Sequence, residues 1–268
     1  MPVERPAPEP APHAHTYWEY EYAVAHGSLM PLLAGWGVLL KGASVVDVGC
    51  GEGGGLCAMH DGGAVCRGFD NDAYRIRNAR TLRGDRAVEF EIGDLYAAEL
   101  PSGSRRFDLV VLHDVFEHLE EKDRMMGKLR DLAAPQGRIL ITFPPYYSAY
   151  GAHQQQLRRG LARLPFIHLL PFAVSRILPR LKGEHPATVA EVTKLARLRM
   201  GMRKFEEIVR GAGLRIEGKQ AYLISPNHIR FGLKPIPAGP LGELSVLGEV
   251  LSSGVVYLLA PREEGTPS

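Results

Sequence analysis

Residues 47–54 read Asp-Val-Gly-Cys-Gly-Glu-Gly-Gly, and these are residue types that hold a ligand against bare backbone. Gly49, Gly51 and Gly54 follow the Gly-x-Gly-x-x-Gly spacing of a strand that breaks into a tight turn ahead of a helix. Glycine is needed there because only a residue without Cβ turns that sharply and lets a ligand lie against the chain. The β-branched run before the turn predicts a buried strand, and a helix should begin near Gly54 and Leu56. Strand, turn and helix N-terminus together make a nucleotide-sized pocket at the carboxyl edge of a parallel sheet.

Two ligand classes fit this pocket. The glycine spacing satisfies the dinucleotide fingerprint, and an acid, Asp70, follows 23 residues after Asp47. Two acidic residues point instead to S-adenosylmethionine. Asp47 stands two residues before the first glycine, where a carboxylate receives an ammonium group directly or through water. Glu52 lies inside the loop, and an anion there repels a pyrophosphate. S-adenosylmethionine carries no phosphate, and its sulfonium and ammonium are cationic.

The loop 47–54, Gly68-Phe69-Asp70, Gly93-Asp94-Leu95 and Phe107-Asp108-Leu109-Val110-Val111 occur in that order. With this set the chain resembles the class I S-adenosylmethionine-dependent methyltransferases over roughly residues 43–143. The resemblance implies that Asp47, Gly49, Cys50 and Gly51 line the cofactor. It also implies that Asp70, with Asn71 beside it, binds the ribose hydroxyls, and that Asp94 and Leu95 frame the adenine. A carboxylate accepts from a vicinal diol in a bidentate way, and an aspartate accepts from an adenine amino group. Within the wider family, Gly151-Ala152-His153-Gln154 and Ser225-Pro226-Asn227 look like a subgroup of bacterial small-molecule or glycan methyltransferases.

The fourth strand ends in His113-Asp114-Val115-Phe116-Glu117-His118. In similar enzymes this turn passes the methionyl end of the cofactor and faces the acceptor, so a base is sought here. A hydroxyl acceptor must lose its proton, and a neutral imidazole suits that at pH 7. His118 is the first candidate, and His113 is expected nearer the cofactor as a contact residue. The alternative is that His118 only caps or packs the next helix. The spacing of His113, Asp114, Glu117 and His118 also allows a metal on a helix, but Glu-His pairs are common in metal-free relatives and no metal is assigned. Phe143-Pro144-Pro145-Tyr146 matches the Pro-Pro-Tyr of nucleobase amine methyltransferases in type only, because it follows the fifth strand instead of the fourth. It reads as a rigid exit, with Tyr146, Tyr147, Tyr150 and His153 lining an acceptor pocket.

These residues need a scaffold. Strands are expected at 44–48, 65–70, 88–92, 109–112, 138–143, 214–223 and 255–259, with helices at 72–82, 123–132, 202–209 and around 241–251. The alternation specifies an α/β fold, a doubly wound (Rossmann-like) seven-stranded mostly parallel sheet with an antiparallel last strand. A helical insertion follows strand 5. The expected organisation is a disordered tail over 1–13, a helical lid over 14–42 capped by Thr16, a cofactor-binding domain formed by 43–145 and 201–262, and a basic insertion over 146–200. The lid reading competes with plain packing of that helix on the sheet.

At 268 residues and a formal charge of +2, nothing global demands nucleic acid or a membrane. The insertion differs, with nine Lys/Arg against two Glu between apolar residues. It reads as an acceptor cap, with peripheral membrane contact through 158–182 as the competing reading. Cys50, Cys57 and Cys66 crowd around the glycine loop without zinc or disulfide spacing and read as small buried residues. Residues 1–15 lack an apolar core and no apolar run approaches a membrane span, so a cytoplasmic location is expected. The reading is methyl transfer from S-adenosyl-L-methionine to an oxygen of a small molecule, sugar or lipid-linked glycan. An NAD(P) oxidoreductase, a nucleic-acid methyltransferase and a non-catalytic cofactor-binding module are the alternatives.

Overall fold

The computed structural model of the chain describes residues 10–97, 106–158, 163–170 and 183–262. The chain divides into two compact units, Met1–Phe107 and Asp108–Ser268.

The first unit begins with helix α1 (Pro12–Val24), continued by a π turn (Ala25–Leu29) and α2 (Met30–Gly35). Pro12 takes the first helical position, where a missing N–H is harmless. Thr16 is therefore not the cap: it lies inside the helix and its hydroxyl donates back to the Pro12 carbonyl at 3.2 Å. Strand β1 (Ser44–Val48), α3 (Gly54–Asp61), β2 (Val65–Asp70), α4 (Ala73–Leu82) and β3 (Glu89–Ile92) follow at the expected positions. The strands lie in the order β3-β2-β1, all parallel, with Asp47 opposite Gly68 and Val48 opposite Phe69. Asp72 caps α4 by accepting from the Tyr74 N–H at 2.8 Å. Val45, Val46, Leu56, Cys57, Phe69, Ile76 and Ala79 form the buried core.

Helix α1 is fastened to this layer by charge as well as by packing. Arg86 grips Asp61 through Nε and Nη2 at 2.9 and 2.8 Å, and the Tyr22 hydroxyl donates to the same carboxylate at 3.0 Å. The Arg86 guanidinium also lies over the Trp18 and Tyr22 rings. The three cysteines are buried and unpaired, as the sequence led us to expect.

The second unit holds β4 (Phe107–His113), α5 (Lys122–Leu132), β5 (Ala133–Phe143), α6 (Pro186–Leu198), α7 (Met202–Gly211), β6 (Leu214–Ile224), a two-residue β7 (Ile236–Pro237), α8 (Ser245–Leu251) and β8 (Gly254–Pro261). Strand order is β4-β5-β8-β6-β7. Strand β8 pairs antiparallel with both β5 and β6, the reversal expected of the last strand. The eighth strand, β7, was not anticipated; two residues ending in proline are too short a run to register as a strand. Strand β5 begins at Ala133, so Pro135-Gln136-Gly137 lies within it instead of turning into it; its register with β8 starts only at Ile139, beyond the proline.

The core of this unit is aromatic. Phe205 of α7 meets Phe116 edge-on at 5.2 Å, Phe143 at 5.0 Å and Tyr257 at 4.6 Å. The backbone N–H of Arg203 near the α7 N-terminus donates to Glu249 Oε1 at 2.9 Å, a cap supplied from α8. A satellite cluster of Tyr146, Ala152, Leu157, Val192, Leu195 and Ala196 ties the exit from β5 to α6. Among the described residues no helix is long and apolar enough to cross a membrane. The expected membrane contact through 158–182 falls largely on 159–162 and 171–182, outside the described residues.

Candidate functional site

The glycine loop lies wholly in the first unit. Gly53 has φ 82° and caps α3 in the left-handed region; a Cβ there would also meet Phe90 Cζ at 2.4 Å. Gly49 and Cys50 both donate their N–H to the Phe69 carbonyl, at 2.8 and 3.2 Å, which folds the turn back over β2. Asp70, at the end of β2, accepts from Gly51 N–H at 3.1 Å and from Asp72 N–H at 2.8 Å. Each of its oxygens retains a lone pair for a diol.

Around this loop the structure gathers acids. Asp47 is 7% exposed, and its Oδ1 has no hydrogen-bond partner among the described residues. Burial, with the Asp70 charge adding to it, pushes the Asp47 carboxyl up to about 7. Burial raises Glu52 as well, against the pull of Arg75 at 3.9 Å. The fourth acid carries no signal in the sequence. Glu21 of α1 reaches the loop, and its Oε2 accepts from the Gly54 N–H at 3.0 Å. Burial pushes this carboxyl well above the usual range, and Glu52 and Asp47 push it further. A buried set of carboxyls that resists ionising, with orphan oxygens on Asp47 and Glu52, suits a ligand that brings positive charge.

The same geometry disfavours a pyrophosphate. The first amide of α3, which a dinucleotide phosphate uses, is already bonded to a carboxylate. Helix α1 also packs tightly here: a Cβ on Gly54 would clash with the Trp18 carbonyl oxygen. Of the expected adenine and ribose contacts, Leu95 is buried at 5%, Asp94 is exposed and accepts from Tyr96 N–H at 2.9 Å, and Asn71 is exposed.

A methyltransferase-domain model matches residues 46–141, the span from β1 through β5 that carries this loop. Over this span the chain resembles the class I S-adenosylmethionine-dependent methyltransferases. A probable tocopherol O-methyltransferase of Oryza sativa is 34% identical over 106 residues, covering 38% of this chain and 29% of that protein. The norajmaline N-methyltransferase of Rauvolfia serpentina is 29% identical over 107 residues, covering 38% of this chain and 36% of that one. The chain thus spans about a third of the length of these relatives. The solved S-adenosylmethionine dependent methyltransferase of Mesorhizobium loti shares the fold, with a TM-score of 0.54 at 20% identity over 85% of this chain and 95% of that one. The doubly wound fold expected from the sequence is thereby confirmed.

In the second unit, the end of β4 is strained and tightly bonded. Asp114 has φ 55°, a left-handed conformation in a non-glycine residue. Its carboxylate accepts from the Thr142 hydroxyl at 2.9 Å and from the Asn227 amide, while its own N–H donates to Thr142 Oγ1 at 3.2 Å. His113 Nε2 lies 3.1 Å from Asn227 Oδ1. Next to this network is a cavity of about 330 Å³ whose walls include Asp114, Tyr150, His153, Asn227, His228 and Phe231. That volume suits a small molecule.

His118 is not on those walls. It lies on a short turn (Phe116–His118), with Nε2 3.5 Å from Glu117 and its ring 5.4 Å from that of His153. Burial, and then the neighbouring His153, push its pKa down to about 4. It is therefore neutral at pH 7 but a weak base, poorly matched to deprotonating a hydroxyl. Lys122 holds the turn rigid: its buried ammonium donates to the carbonyls of Phe116, Glu117 and Leu119 at 2.6, 3.0 and 2.6 Å. Sequence reasoning missed Lys122, Asn227 as a binding partner, His228 and Glu191. Only Asn227 carried a signal, through the Ser-Pro-Asn motif.

Proposed function

We propose that this chain transfers the methyl group of S-adenosylmethionine to a hydroxyl oxygen of a small-molecule acceptor held in the cavity of the second unit. The observation that carries the cofactor half of this reading is Asp47. A buried carboxylate with an unpartnered oxygen, among three other acids, calls for the ligand's ammonium and tolerates its sulfonium. When bound, the cofactor supplies an electrophilic methyl on sulfur, so the protein's task is placement. Asp47 fixes the aminoacyl end and Asp70 the ribose. Gly49, Cys50 and Gly51 let the ligand lie on the backbone, and Asp94 and Leu95 bound the adenine.

For the acceptor half, the support is the cavity and its histidines. Of the three histidines with expected chemical roles, only His153 stands on the cavity wall. His113 is held by Asn227, so it is not a free base. Removal of the hydroxyl proton is therefore assigned to the His153 side of the cavity. The relatives include a probable tocopherol O-methyltransferase and a norajmaline N-methyltransferase, so the methylated atom has to be measured.

The test has two parts. Calorimetric titration with S-adenosylhomocysteine should give micromolar binding while NADH gives none. Methyl-deuterated S-adenosylmethionine should then label members of a panel of phenols, sugars and amines, read by mass spectrometry. Label on oxygen supports the proposal, label only on nitrogen overturns the choice of atom, and NADH binding overturns the cofactor.

A further inference from the structure

One cluster of side chains reaches beyond this scheme, which uses only His153 of its three members. Glu117 and His118 lie on the turn after β4, and His153 precedes the turn Gln154–Gln156 that follows β5. One ligand atom from each lies within 4.8 Å of the other two. Glu117 is 2% exposed, and neither of its carboxylate oxygens has a hydrogen-bond partner among the described residues. Lys122 gives it no hydrogen bond, because that ammonium donates to three carbonyls of the turn. A buried acid with both oxygens idle is costly unless something positive comes to it. The His118 imidazole beside it supplies no hydrogen bond in the geometry found: its Nε2 lies 3.5 Å from Glu117 Oε1.

We propose that Glu117, His118 and His153 bind a divalent transition-metal ion. One carboxylate and two neutral imidazoles are the donor set of Mn²⁺, Fe²⁺, Co²⁺ and Zn²⁺, whereas Mg²⁺ and Ca²⁺ take oxygen donors. Glu191 of α6 completes the arrangement from outside. Its Oε1 lies 3.2 Å from His153 Nδ1, which orients that ring and leaves Nε2 for the ion. Bonds of 2.0–2.2 Å put ligand atoms roughly 3–3.5 Å apart, so the three groups close by about an ångström on binding. The His153 backbone, at φ 57°, is already committed to the tight turn that places it there.

Three protein ligands leave coordination positions open, the pattern of sites that take a further ligand. His153 is shared with the cavity wall, so the ion lies at the cavity edge. The binding claim stands on the cluster alone; the ion's role rests on the acceptor reading above. There it would bind the acceptor hydroxyl oxygen and lower its pKa, with the proton passing to solvent water.

The test uses the full chain stripped with a chelator and dialysed against Mn²⁺ or Zn²⁺ alone. One ion per chain is expected, with a rise in melting temperature on loading. Glu117→Gln should weaken binding at least tenfold and abolish that rise, while the ion-free variant melts no lower than wild type because an idle buried carboxylate is gone. His153→Asn, whose side chain tolerates the left-handed backbone, should weaken binding similarly if Glu117→Gln proves hard to fold. Bound Co²⁺ should show d–d bands that both substitutions remove. Absence of stoichiometric binding, or binding unchanged in both variants, overturns the proposal. Neither cofactor nor acceptor is needed, so a chain that binds the ion yet methylates nothing refutes only the functional reading.

Discussion

Cofactor binding should depend on pH through Asp47, with a sign fixed by its surroundings. Burial and Asp70 hold this carboxyl up at about 7, and it must be ionised to pair with the ligand's ammonium. With that pKa the ionised fraction rises from about one-tenth at pH 6 to about nine-tenths at pH 8. Affinity for S-adenosylhomocysteine should therefore rise about tenfold across the interval, on the order of 1.4 kcal/mol. Without ligand the linkage runs the other way. The folded pKa is raised above the unfolded value of about 3.9, so Asp47 adds stability below pH 4 that is lost as pH rises through 7, in total about 4 kcal/mol. The ligand-free protein should lose melting temperature from pH 5 to pH 8, and saturating ligand should restore much of it. Calorimetry at pH 6, 7 and 8 on wild type and Asp47→Asn is the assay. The variant should bind weakly at pH 8 with a much flatter profile. A flat wild-type profile, an affinity that falls with pH, or an unchanged slope in Asp47→Asn would refute the assignment of the ammonium to this carboxylate.

Asp70→Ala should weaken S-adenosylhomocysteine binding by at least tenfold, whereas Asp72→Ala should leave affinity alone and cost about 1 kcal/mol of stability as a lost cap; equal effects on affinity in calorimetry would sink this distinction. Gly54→Ala should lower stability by about 3 kcal/mol in denaturant titration, because its Cβ would press on the Trp18 carbonyl at 2.1 Å and α1 would have to move. At Asp114, which has φ 55°, replacement by alanine should destabilise more than replacement by glycine, by about 1 kcal/mol, since both remove the carboxylate but only glycine relieves the backbone. Equal unfolding midpoints for the two variants would show that no strain is stored there.

The strand positions were legible because each buried strand is a short apolar run bounded by turn residues, and β1, β2 and α4 fall within a residue of expectation. The miss at β5 has a local cause: Pro135 signals a turn, yet it sits outside the strand's ladder with β8, where a missing N–H costs little. The cofactor loop was legible because its glycines answer to backbone geometry, which leaves a mark in sequence. Glu21 was not, because it is brought to the loop by the packing of α1, and an acid in a run of Tyr, Trp and Glu looks like any exposed helical residue. The surroundings of His118 were illegible for a related reason. Its position in the motif is right, but its environment, burial beside His153, sets the pKa, and environment is a product of the turn that follows β5.

Glu21 also explains why the glycine spacing alone could not decide the ligand. A Gly-x-Gly-x-x-Gly turn provides free amides at a helix N-terminus, and such amides attract any anion. Here a carboxylate of the protein takes the Gly54 amide, so the anion-binding capacity of α3 is consumed within the fold. What remains is the opposite preference. Asp47, Glu21 and Glu52 are all pushed toward their neutral forms, with Arg75 the cation set against Glu52. A phosphate entering this loop would have to displace Glu21 and raise the carboxyls further, whereas a cation lets them ionise and recovers the energy their burial withholds. Removing the Glu21 carboxylate should therefore shift the balance between ligand classes. Glu21→Ala frees the Gly54 amide, so inorganic phosphate or pyrophosphate should bind the variant measurably better than wild type. S-adenosylhomocysteine should bind the variant no better. Unchanged anion affinity would show that the position of α1, and not its carboxylate, is what keeps phosphate out.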